Sequence, residues 1–101
     1  MKNEIKKFLY DIKESIESIE NYLGDKRDFK VYQNNKMLRR AVEREFEIIG
    51  EAMSRIVKLD ENINMRNRVI HGYDKIDDAI VWGTIVRHLP ILKKEIQNLT
   101  D

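Results

Sequence analysis

Apolar residues recur along this chain in steps of four and three. Ile5, Leu9, Ile12, Ile16, Ile19 and Leu23 keep that alternation without a break, which puts their side chains on one face of an α-helix at 3.6 residues per turn. A second stripe, Leu38, Val42, Ile49, Ala52, Ile56 and Leu59, and a third, Ile80, Ile85, Leu89, Leu92, Ile96 and Leu99, carry mainly the same period. No segment reads as a strand candidate by the period of two that a half-buried strand requires. Helices striped in this way bury one face against one another, so the spacing predicts an all-α fold, an antiparallel bundle of four to five helices. The 101 residues suffice for one modest core and not for two, which predicts a single domain over residues 1–101.

Punctuation residues divide the stripes. Gly24 is a natural C-cap for a first helix ending at Leu23, and Asp28 can cap a second whose early residues Phe29, Val31 and Tyr32 supply apolar contacts. Asn34 and Asn35 mark a kink or a restart, after which the pattern runs to about Lys58. Asp60 can cap a third helix with Glu61 in its first turn, and Asp77 starts the last segment. Pro90 removes a backbone donor, so it either kinks that segment or begins a separate final helix. Three residues break the rule of their surroundings. Glu45 falls on the second stripe between Val42 and Ile49, and a carboxylate there belongs at a solvated edge or beside an arginine. Gly50 interrupts a helix interior, which favours a close helix approach, and Glu51 after it reads as a solvated charge.

Composition excludes several functions. Charged residues make up 37% of the chain, yet the net charge is only +1. Bulk attraction to nucleic acid is therefore weak, and any such binding belongs to a local patch. There is no cysteine and there are two histidines, too few for a thiolate site or a convincing metal cluster. No metal or cofactor is expected. The charged N-terminus holds no apolar run that could act as a signal or span a membrane, which predicts a soluble, cytoplasmic protein.

The densest chemistry lies in Met65-Arg66-Asn67-Arg68-Val69-Ile70-His71-Gly72-Tyr73. In a helix Asn67 and His71 stand four apart and share a face, while Arg66 lies about 140° round from His71 and reaches the same point by its length. Gly72 suits the left-handed residue just past a helix end, so the helix is expected to stop at His71. An imidazole there meets the negative end of the helix dipole, which holds it near its switching range. Tyr73 follows beyond the glycine, where a loop exposes its hydroxyl near His71. Arg68 points elsewhere, to an RNA backbone or to solvent. His88, which lacks matching partners nearby in sequence, is read as structural or superficial, and Trp82 as part of the core or an interface and not a base-stacking platform.

Arg66, His71 and Tyr73 in this spacing resemble the Arg-x4-His-x-Tyr signature of the HEPN superfamily, in its HepT-like branch. Asn67, Gly72 and the upstream run Arg40-Ala41-Val42-Glu43-Arg44 with Glu47-Ile48-Ile49-Gly50-Glu51-Ala52 extend the resemblance. It implies a HEPN-like bundle and a metal-independent endoribonuclease toxin with Arg66 and His71 as catalytic residues and Asn67 in support. Cleaving RNA without metal takes a base for the 2′-hydroxyl, an acid for the leaving oxygen and positive charge for the phosphate. One histidine cannot easily serve both sides of a phosphate, so the motif points to a homodimer with a composite site. The resemblance further implies that Tyr73 is adenylylated by a partner nucleotidyltransferase, an MntA-like antitoxin. A non-catalytic companion subunit that binds nucleotide or substrate for a nucleotidyltransferase stays open beside this reading.

Overall fold

A computed structural model describes residues 2–63 and 77–100 of the chain. The first stripe becomes α1 (Asn3–Leu23), which buries Ile5, Leu9, Ile12, Ile16 and Ile19. It ends as expected at Gly24, whose positive φ of 70° suits a residue without Cβ and whose N–H donates to the Glu20 carbonyl at 3.0 Å. Helix α2 (Phe29–Asn34) is capped by Asp28, whose Oδ1 accepts from the N–H groups of Lys30 at 2.9 Å and Val31 at 3.4 Å. Tyr32 is buried, whereas Val31 is 56% exposed.

The asparagine pair is a restart and not a kink. Asn35 is extended, closes α2, and accepts from Leu38 N–H at 3.0 Å to open α3 (Lys36–Leu59). In α3 the buried face runs Val42, Phe46, Ile49, Met53 and Ile56, with Ala52 beside it. The place assigned to Glu45 thus belongs to Phe46, one residue on, and Glu45 lies half-buried at the flank. Leu38 and Leu59 sit at the margin of the core. Among the described residues nothing lies within 4 Å of a Cβ built at Gly50, so none of them makes a close helix approach there.

After Leu59 the expected helix start at Asp60 is not found. Asp60 ends α3, and its Oδ1 accepts from Asn62 N–H at 3.0 Å in a turn that takes up residues 61–63. The chain returns in α4 (Asp78–Gly83), passes through a π-helical turn (Thr84–His88) and continues as α5 (Leu89–Thr100). Pro90 falls in the first turn of α5, so a separate final helix begins there, one of the two outcomes expected of it. Just before it the turn widens until Leu89 N–H reaches the Thr84 carbonyl, which makes room where the proline ring would meet an α-helical carbonyl four residues back. In this segment Val81 and Ile85 are buried, and Ile80 is 47% exposed.

Helix α1 is the spine. Lys2 Nζ donates to the Leu59 carbonyl at 3.4 Å and Tyr22 Oη to Glu45 Oε2 at 3.0 Å, so α1 and α3 run antiparallel. Lys93 Nζ meets both carboxylate oxygens of Glu20 at 3.0 Å, while Leu99 lies by Lys6 and Leu9, so α5 is antiparallel to α1 as well. Trp82 packs on Tyr32 and Phe29, with ring centroids 5.4 and 5.9 Å apart, and joins α4 to α2 as a core residue. The all-α bundle is as expected; among the described residues there is no strand.

Candidate functional site

Arg66, Asn67, Arg68, His71, Gly72 and Tyr73 lie outside the described residues, but both ends of the segment that carries them are held. On the entry side Asp60 N–H donates to the Ile56 carbonyl at 2.9 Å, Ile63 N–H donates to the Asp60 carbonyl at 3.1 Å, and Ile63 packs against the core. On the exit side Asp77 caps α4, its Oδ1 accepting from Ala79 at 2.9 Å and Ile80 at 3.2 Å. Asp78 then pairs with Arg39 at 3.8 Å, and the same guanidinium donates through Nη1 to the Gln33 carbonyl. Arg39 thereby joins the end of α2, the body of α3 and the start of α4. Nothing in the apolar spacing marks it for that role.

Among the described residues the partner of Glu45 is a tyrosine, Tyr22. Because its hydroxyl donates to this carboxylate, the Tyr22 phenol is held above its ordinary 10.0; burial and the carboxylate's charge push the same way, and a bond to Ser18 opposes them. Glu51 is exposed, as expected of a solvated charge, and it forms a helical ion pair with Arg55 at 3.0 Å. His88 is half-buried at the end of the π-helical turn, by an open groove with Arg87, Gly83 and Thr84.

Between α1 and α3 lies a groove of about 350 Å³ lined by Lys7, Phe8, Asp11, Arg44, Glu51 and Arg55. Its charges are matched within it: Lys7 to Asp11 at 3.7 Å, Arg44 to Glu47 at 3.6 Å and Arg55 to Glu51 at 3.0 Å, with Lys7 and Arg55 over the Phe8 ring. Paired surface charges of this kind carry no reactive group. Among the described residues no three His, Cys, Asp or Glu side chains gather to hold a metal, and no helix is long and apolar enough to cross a membrane.

Comparison with known proteins bears on the family. The model of the family described as "Ribonuclease HepT-like" matches residues 12–62 and 56–99, and the second stretch contains Arg66 through Tyr73. Two candidate RNases of Methanocaldococcus jannaschii are similar over almost the whole chain. One is 38% identical across 95% of this chain and 96% of its own length, the other 36% identical across 97% and 92%. A protein of Thermococcus cleftensis named "Probable ribonuclease HepT" is 33% identical across 98% of both. No solved structure gives a significant match.

Proposed function

The chain belongs to the HepT-like ribonuclease family of the HEPN superfamily, and from that premise we propose that it is a metal-independent endoribonuclease whose reaction is carried by Arg66 and His71. One observation carries the proposal: the family match over residues 56–99 covers the stretch in which Arg66, Asn67, His71 and Tyr73 stand at the spacing of the signature that they resemble. In this reading neutral His71 takes the proton of a ribose 2′-hydroxyl, and that oxygen attacks the adjacent phosphorus. The bond from phosphorus to the 5′-oxygen breaks, and the leaving oxygen takes a proton from the second copy's histidine. The products are a 2′,3′-cyclic phosphate and a 5′-hydroxyl. Arg66 meets the negative charge that grows on the phosphate oxygens, and Asn67 orients the group beside it. The active unit is a homodimer, since acid and base must stand on opposite sides of one phosphate.

Tyr73 serves regulation and not chemistry. A partner nucleotidyltransferase of the MntA-like kind acts as antitoxin: the Tyr73 hydroxyl attacks the α-phosphorus of ATP and pyrophosphate leaves. A bulky anionic nucleotide beside Arg66 and His71 then neutralises the cleft and takes the place of RNA. The test is cleavage of RNA in EDTA by wild type, Arg66→Ala and His71→Ala. Wild type should cleave and leave cyclic or 3′-phosphate ends, and each variant should lose about 10²–10⁴-fold, the usual worth of a positioned proton-transfer group. A requirement for added magnesium, or full activity in His71→Ala, would overturn the mechanism. No cleavage by any form, with RNA or nucleotide still bound, would favour a non-catalytic companion subunit.

A further inference from the structure

A net charge of +1 conceals a segregation along the chain. Between residues 30 and 44 the cations Lys30, Lys36, Arg39, Arg40 and Arg44 stand against one anion, Glu43. Between residues 45 and 61 the balance reverses, with Glu45, Glu47, Glu51, Asp60 and Glu61 against Arg55 and Lys58. Within α3 itself, residues 36–44 carry Lys36, Arg39, Arg40 and Arg44 against Glu43, whereas residues 45–59 carry Glu45, Glu47 and Glu51 against Arg55 and Lys58. An almost neutral protein that binds a polyanion must do so through a local patch, and this is such a patch.

Its cations divide by what they touch. Arg39 is largely covered and committed to Asp78 and the Gln33 carbonyl, so it belongs to the fold. Lys36, Arg40 and Arg44 are all exposed. Being four apart, they turn by only about 40° per step and advance about 6 Å, which sets them in one row along the helix. Among the described residues neither Lys36 nor Arg40 has an ion pair or side-chain hydrogen bond. The contact of Arg44 with Glu47, at 3.6 Å and open to water on both sides, is weak enough to be exchanged for another anion. Like charges at this spacing oppose helix formation, so the fold gains nothing from the row. Met37, 81% exposed, adjoins it and offers an apolar surface to a base.

We infer that the Lys36, Arg40 and Arg44 face of α3 is a docking track for the phosphate backbone of single-stranded RNA. A single row of cations follows one strand and reads no sequence, and it would hold substrate while the motif acts on it. This rests on the ribonuclease reading above. The experiment measures binding of the full-length chain to a 2′-O-methyl RNA, which cannot be cleaved, across a range of salt. The forms compared are wild type, the triple variant K36Q/R40Q/R44Q and the charge-conserving K36R/R40K/R44K. Each lost phosphate contact lowers the slope of log K on log salt by about 0.7 for a single strand, so the neutral triple variant should lose about 2. The loss should be alike for unrelated RNA sequences, and the charge-conserving form should keep the wild-type slope. Single variants, each expected to lose about 0.7, carry the test if the triple does not fold. An unchanged slope while wild type binds would overturn the track and leave the ribonuclease reading standing. So would dissociation of a dimer with RNA binding intact, because the face would then be a protein contact. If wild type neither binds nor cleaves RNA, the ribonuclease reading fails first and the track falls with it.

Discussion

At the scale of single residues, the mechanism proposed above gives His71 and Tyr73 different tasks. Tyr73 follows Gly72 in the sequence, and in that proposal its hydroxyl enters a partner's active site while the bundle stays folded. Tyr73→Phe removes that oxygen and keeps the ring, so the variant should still cleave RNA yet escape inactivation by a nucleotidyltransferase with ATP. Mass spectrometry of co-expressed protein should find one adenylyl group on wild type and none on the variant. Adenylyl mass on another residue would end the assignment. Glu45 and Phe46 show, among the described residues, how neighbours in sequence part company. A shift of one residue rotates a side chain by about 100°, which is enough to move a phenyl ring into the core and a carboxylate out to Tyr22.

At the scale of elements, caps decide where helices begin, and one of them, Asp77, closes the functional segment. Asp77 and Asn35 each accept a hydrogen bond from the first turn they precede, satisfying donors that the helix cannot pair internally. Asp77→Ala and Asn35→Ala should each lower unfolding stability by about 1 kcal/mol, measured by urea denaturation. Beyond that common cost, Asp77→Ala should also reduce RNA cleavage, because its cap fixes the point where the motif's segment rejoins the bundle; unchanged cleavage would show that the exit point does not matter. The π-helical turn belongs to this scale too. It makes room for Pro90 while Val81, Ile85, Leu89, Leu92 and Ile96 all remain on the buried side.

At the scale of the whole molecule, α1 holds α3 and α5 through Leu59, Glu45 and Lys93 contacts spread along its length. A rigid bundle of that kind can present a motif segment without taking part in its chemistry. If the site is composite, sedimentation at micromolar concentration should find a dimer, and a stable monomer that still cleaves RNA would exclude shared acid and base. Mixed dimers of Arg66→Ala with His71→Ala protomers would then report how far the two copies complement each other.

The sequence by itself determined the helical class, because a four-and-three spacing sustained through Ile5 to Leu23 has no strand equivalent. It also located the helix ends at Gly24, Asp28 and Asp77, where a positive φ or a side-chain acceptor is a local requirement. The motif was legible for a different reason: its spacing matches a family signature that needs no knowledge of packing. What only the tertiary structure decided were matters of position between segments. Phe46 over Glu45, Val81 over Ile80, the tie of Arg39 to Asp78 and the passage through Pro90 each depend on which neighbour lies opposite. Local spacing is uncertain by a residue or two, and the choice within that margin is made by burial against other helices, a free energy that the segment alone does not contain.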